Sequence, residues 1–167
     1  MYTILGVSKK VHIKELLISI LIAEGTGALS GFLSMSNVGS YDNFKKPFFS
    51  PPGFLFPIVW FILYFLMAVA AYRIWAIGKE EGVSVKKPLV LYLIQLFLNF
   101  LWSIIFFGGN FYGLAFIELL ILLFFILITT FEFYKYDKVA AFLMIPYIIW
   151  VSFAGILNFS IWLLNKK

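Results

Sequence analysis

The chain has no cysteine and a single histidine, His12, among its 167 residues. Without cysteine there is no disulfide framework, thiolate nucleophile or sulfur metal site. One histidine at the edge of an apolar run excludes a bis-histidine haem buried in the chain, a histidine-based metal centre and Ser/His/Asp catalysis, so no metal site is expected. No phosphate-cradling glycine loop ending in Gly-Lys-Ser or Gly-Lys-Thr is present either. Conventional hydrolytic or metal-dependent chemistry is thereby set aside. Charge is also scarce: charged residues make up 13% of the chain, and the net charge of +5 comes from lysines at the ends of apolar runs. Lysines so placed meet lipid headgroups, and no nucleic-acid partner is expected.

What the chain has in abundance is hydrophobic surface, at 63% of residues with a mean hydropathy of +1.00. This composition predicts an all-α integral membrane protein, with the lipid bilayer as its solvent. Apolar runs at 13–33, 53–77, 88–107, 111–134 and 139–164 give five transmembrane helices in one domain. The breaks between them are Gly78-Lys79-Glu80-Glu81-Gly82, Gly108-Gly109-Asn110 and Lys135-Tyr136-Asp137-Lys138, all turn signals. Only the stretch 34–52 is long enough for a structured loop. Lys9, Lys10 and Lys14 ahead of the first run resemble a signal peptide, but the run passes Glu24 to Leu33 without a small-x-small cleavage site, so it reads as a span. Nine cations from Lys9 to Lys138 fall on the side of the N-terminus, against Lys45, Lys46, Lys166 and Lys167 on the other. The positive-inside bias then predicts a cytoplasmic N-terminus, in the cell membrane, with the long loop outside.

Polar groups at membrane depth are candidate sites because each needs a partner. Gln95, Asn99, Trp102 and Phe106 recur at helical spacing on the third span, and Tyr147, Trp150, Ala154 and Asn158 on the fifth, while Trp60 and Tyr64 stand one turn apart on the second. Two readings stay open: the stripes line one cavity, or the amides are interhelical glue and the tryptophans packing or interfacial anchors. Glu24 and Glu118 lie within spans. Each reads as a proton or cation site or, with more weight, as a neutral hydrogen-bonded acid. Gly27 and Gly31 form a small-xxx-small pair, expected to permit close helix packing.

The loop carries the densest signal. Lys46-Pro47-Phe48-Phe49-Ser50-Pro51-Pro52-Gly53 runs into Phe56-Pro57-Ile58-Val59-Trp60. Pro51-Pro52 makes a stiff extended entry, and Pro57 sits in a first helical turn where its missing N–H loses little. Together with Gln95, Leu98-Asn99, Trp102-Ser103, Phe106-Phe107-Gly108, Pro146-Tyr147, Trp150, Phe153-Ala154, Leu157-Asn158 and Trp162, these segments resemble the TspO/MBR family of tryptophan-rich sensory proteins, in the right order and over nearly the whole chain.

The resemblance implies a five-helix bundle, often a homodimer, that binds porphyrins (protoporphyrin IX or haem) and hydrophobic small molecules in a pocket capped by the first loop. It further implies a role in tetrapyrrole or stress regulation, and no required cofactor. By motif position the ligand-binding residues are Lys46, Phe49, Pro51, Trp60, Tyr64, Asn99, Trp102, Tyr147, Trp150, Phe153, Ala154 and Asn158. A porphyrin is a flat apolar ring about 10 to 15 Å across with two carboxylates, which suits aromatic walls with cations at the mouth. Lys45 and Lys46 are suited to the propionates, and Phe49, Trp60 and Trp150 to the ring.

Two departures stand out. Phe49 occupies the position ahead of the proline pair where many relatives carry tryptophan, which removes one redox-active indole. Phe159-Ser160-Ile161-Trp162 lacks the tyrosine of sterol-binding relatives, and the one formal match, Val38 through Tyr41 to Lys45, lies in the loop. Three functions follow: a porphyrin-binding receptor; a light-dependent porphyrin-degrading enzyme using Trp60 and Trp150 as catalytic candidates; and a small transporter using Glu24 or Glu118.

Overall fold

The computed structural model describes residues 2–4, 7–9, 11–38 and 45–165, with side chains over 11–34 and 45–165. Tyr41 of the formal sterol motif, residues 39–44 of the expected loop, and Lys10, Lys166 and Lys167 of the charge count lie outside the described residues. A short antiparallel hairpin pairs β1 (Tyr2–Ile4) with β2 (Val7–Lys9), in the register Tyr2 to Lys9.

All five expected spans are helices. They are α1 (Ile13–Val38), α2 (Leu55–Glu81), α3 (Lys86–Ser103), α4 (Tyr112–Tyr136) and a last span divided into α5 (Lys138–Leu143) and α6 (Ile145–Leu164). Each is long and apolar enough to cross a bilayer. The prolines act as local chemistry dictates. Leu55 and Phe56 donate to the carbonyls of Pro52 and Gly53, at 3.0 and 3.3 Å, which turns the chain into α2 with Pro57 as its third residue. Gly82 ends α2 at φ 66°, a left-handed conformation that glycine adopts without strain.

Two irregularities depart from the expected plain helices. Ile104–Gly108 extends α3 as a wider π turn, with the Gly109 N–H donating to Ile104 O at 3.0 Å. The fifth span is broken at Met144, whose N–H reaches back to Ala141 O at 3.1 Å. Pro146 has no N–H to offer Phe142 O, so the regular ladder stops there and restarts in α6.

The helices close into a ring in the order α1, α2, α5–α6, α4, α3. Its interior is sealed by Met67, Ile74, Leu122, Ile126, Phe133 and Met144, all essentially inaccessible. At the end where α2 meets α3 and α4 meets α5, ion pairs bind the rim. Arg73 Nε donates to Asp137 Oδ2 at 2.6 Å, and Lys87 and Lys135 converge on Glu132 Oε1 at 2.8 and 2.7 Å. Asp137 also caps α5, its Oδ1 accepting from the Val139 N–H at 2.9 Å.

Candidate functional site

The expected site residues fall into three connected groups. The first lines a cavity of about 520 Å³ bounded by α1, α2 and the end of α3. Trp60, Tyr64 and Trp102 belong to it, with Phe56, Phe61 and Phe107 extending the aromatic wall. Trp60 packs on Tyr64, with ring centres 5.7 Å apart, and presents its edge to Tyr147 at 6.2 Å. The π turn matters here. It brings the consecutive Phe106 and Phe107 both onto Trp102, one stacked at 5.2 Å and the other edge-on at 6.1 Å, whereas an ordinary helix sends neighbours about 100° apart.

The second group is a dry polar layer behind that wall. Asn99 Nδ2 donates to the Tyr147 hydroxyl at 2.9 Å, and Trp102 Nε1 donates to Asn158 Oδ1 at 3.2 Å. Asn158 Nδ2 in turn donates to Tyr112 O at 2.8 Å. All of these side chains except Tyr112 are buried. Ala154 and Asn158 share with Trp102 and Phe56 a void of only about 20 Å³, room for one water at most. The two stripes read as alternatives therefore divide. Trp102 has one side on the cavity, and Asn99, Tyr147 and Asn158 act as the hydrogen-bonded glue that sets its wall.

The third group lies under the loop. Phe49 touches Phe153 edge-on at 6.4 Å, Phe153 meets Trp150 at 5.6 Å, and Trp150 meets Phe56 at 5.8 Å. Phe56 thus joins this cluster to the cavity. Trp150 Nε1 is buried without a hydrogen-bond acceptor among the described residues. Lys46 and Pro51 are half-buried in the loop that carries Phe49. The loop is pinned to the end of α6, since Lys45 and Asn165 exchange two hydrogen bonds, Lys45 N–H to Oδ1 at 3.2 Å and Nδ2 to Lys45 O at 3.0 Å.

Two expectations change, the glycine pair and the carboxylates. Gly27 does permit close packing: a Cβ there would run into the Tyr64 ring, so a tyrosine rather than a second backbone fills the space. Gly31 faces open space and forms part of the cavity wall, so the pair is not one packing motif. The carboxylates are not hydrogen-bonded acids within the described residues. Glu118 buries both oxygens without a partner, and Glu24, on the cavity wall, buries Oε1 without one. Sequence reasoning also missed Phe56, Phe61 and Ser103 as cavity residues. The spacing of four between Phe56 and Trp60 was the available signal for the first, and Phe61, next to Trp60 in sequence, had no such signal. Ser103 reaches the wall where the π turn begins, which nothing in the sequence marks.

His12, the sole histidine, sits far from this cavity. Its backbone N–H donates to the Tyr72 hydroxyl at 2.8 Å, its ring stands edge-on to Trp75 at 5.7 Å, and Nε2 lies 3.5 Å from Glu80. Among the described residues no imidazole lines the cavity.

Fold and cavity together define an integral membrane protein of five spans with an aromatic cleft between α1, α2 and the end of α3. The TspO/MBR family model matches residues 19–163, and the chain belongs to that family. It is 37% identical to the tryptophan-rich protein TspO of Archaeoglobus fulgidus over 92% of this chain and 99% of that one. It is 38% identical to the protein CrtK of Rhodobacter capsulatus, covering 75% and 78% of the two chains. Against the human translocator protein the identity is 35%, over 80% and 79%.

Proposed function

We propose that this protein is a membrane receptor for flat, hydrophobic ligands of the porphyrin class, protoporphyrin IX or haem, acting in tetrapyrrole or stress regulation. The observation that carries this reading is the aromatic cavity itself. Its volume of about 520 Å³ lies within the range of small-molecule sites. Between Ser34 and Glu24, both on its wall, α1 rises about 15 Å, the span of a macrocycle. Trp60, Tyr64, Trp102 and Phe107 offer faces and edges to such a ring. The propionates are directed to the loop end, toward Lys45 and Lys46.

Titration of the detergent-solubilised protein with protoporphyrin IX in the dark should quench tryptophan emission saturably. Trp60→Phe keeps an aromatic surface but narrows it, and should weaken binding about three- to tenfold, the scale of a partial loss of ring contact. Trp150→Phe, one ring removed from the cavity, should weaken it less. Quenching that never saturates would end the porphyrin reading.

A light-dependent activity has one observation in its favour. Trp60 is in ring contact with both Tyr64 and Tyr147, a run of oxidisable side chains beside the proposed ligand. Illumination of the complex should then change the porphyrin spectrum in the wild type and not in Trp60→Phe.

A further inference from the structure

The cavity carries one charged side chain among its described lining residues, and it is an acid. Glu24 projects from α1 onto the wall, and no lysine or arginine accompanies it there. Oε1 is buried and has no donor. The hydroxyls of α1 are engaged elsewhere: Thr26 Oγ1, two residues on, donates to Ile22 O at 2.7 Å, and farther along Ser30 Oγ donates to Phe100 O at 3.3 Å and Ser34 Oγ to Ser30 O at 2.8 Å. A carboxylate oxygen removed from water without a donor is costly, and a ligand that brings an N–H relieves that cost. Around it the surfaces are aromatic. Tyr64 lies within electrostatic reach of Glu24, and Trp60 packs on Tyr64. An aromatic wall next to a lone carboxylate favours a cation over a neutral or anionic group.

We propose that Glu24 makes the deep end of this cavity a recognition site for a protonated amine, so that the preferred ligands are flat apolar molecules bearing one ammonium group. The proposal rests on the reading of the cavity as a ligand site and adds the head group that it selects. The ammonium pairs with the Glu24 carboxylate at the wall, while the apolar body lies along Trp60, Phe56 and Phe107 toward the loop. A dianionic ligand binds in the opposite sense, its carboxylates away from Glu24. The cavity is therefore polarised, with its one lining charge among the described residues, an acid, set away from the loop.

The test uses three probes that share one ring system: 1-pyrenemethylamine, 1-pyrenemethanol and 1-pyrenecarboxylate. Each is titrated in an uncharged maltoside detergent, with energy transfer from tryptophan to pyrene reporting the bound fraction. The wild type should hold the amine about tenfold more tightly than the alcohol, the scale of one charge-assisted hydrogen bond, and the carboxylate most weakly. Glu24→Gln keeps the shape and should bring the amine down to the level of the alcohol. Unchanged alcohol binding in that variant reports an intact cavity. Gly31→Leu, which fills open space on the wall, should weaken amine and alcohol together.

An amine-to-alcohol ratio that survives Glu24→Gln overturns the proposal, as does amine binding that is indifferent to Gly31→Leu, which places the probe elsewhere. Saturable protoporphyrin IX binding with no pyrene probe bound also overturns it and leaves the porphyrin reading standing. Glu24-dependent amine selectivity without porphyrin binding does the reverse.

Discussion

Tyr147 and Glu118 are two buried polar residues with opposite accounts. The Tyr147 hydroxyl is fully enclosed and accepts from Asn99 at 2.9 Å, whereas Glu118 has neither oxygen partnered among the described residues. Side-chain hydrogen bonds between membrane helices average about 0.6 kcal/mol and reach about 1.7. Tyr147→Phe leaves the Asn99 amide without its acceptor and removes no ring, so it should destabilise by about 1 kcal/mol. Glu118→Leu removes an unpaired buried acid at similar volume and should stabilise by roughly 1 to 3 kcal/mol. Thermal midpoints in one detergent should therefore move in opposite directions, down for Tyr147→Phe and up for Glu118→Leu. A fall for both would mean that Glu118 has a partner holding it in place. At this scale the sequence was partly legible. Spacings of four, three and four put Gln95, Asn99, Trp102 and Phe106 on one buried face. They gave no route to the Asn99 partner, 48 residues away, because pairing across helices leaves no periodic trace.

Among the elements, the short α5 shows how one acidic residue can do two tasks. Asp137 offers Oδ1 to the Val139 N–H as a cap and Oδ2 to Arg73 as a counter-ion, with both side chains about nine-tenths buried. Asp137→Asn keeps a carbonyl oxygen for the cap and loses the charge. Asp137→Ala loses both. Leaving a buried arginine unpaired costs about 3 to 5 kcal/mol, and a lost cap about 1 kcal/mol more. Denaturation should therefore rank wild type above Asp137→Asn above Asp137→Ala, with the larger gap at the first step. Equal stability of Asp137→Asn and wild type would show that the arginine is satisfied by something else. Helix existence was easy to read because each span is a long apolar run. Pro57 and Pro146 marked their local effects in advance. The Arg73 to Asp137 pair escaped notice because Arg73 looked like one more rim cation. The π turn at Ile104–Gly108 has no local signature either, since it depends on packing Phe106 and Phe107 together around Trp102.

For the whole molecule, the ring order of the helices was not legible at all, and the reason is the solvent. In water a helix shows its buried face by an apolar stripe, but here lipid-facing residues such as Leu21, Ile62 and Phe131 are as apolar as the core. Only polar residues distinguish inside from outside. Their scarcity left the neighbours undetermined until Ser19, Asn99 and Trp102 were seen to bridge specific helices. Topology across the membrane is a separate matter that charge does address. One span, α2, separates the first loop from the α2–α3 turn and so puts them on opposite faces, and the lysine bias predicts that the α2–α3 turn is the cytoplasmic one. The native chain lacks cysteine, so single cysteines give an unambiguous readout. Glu81 is exposed at the α2–α3 turn, and Phe48 is fully exposed in the loop. With a membrane-impermeant maleimide, Phe48→Cys should label in intact cells and Glu81→Cys only in inverted vesicles. The reverse pattern would turn the molecule over, moving the loop, its lysines and the cavity end they flank to the cytoplasmic face. Labelling of both variants from one side would mean that α2 does not cross the membrane and would reopen the architecture itself.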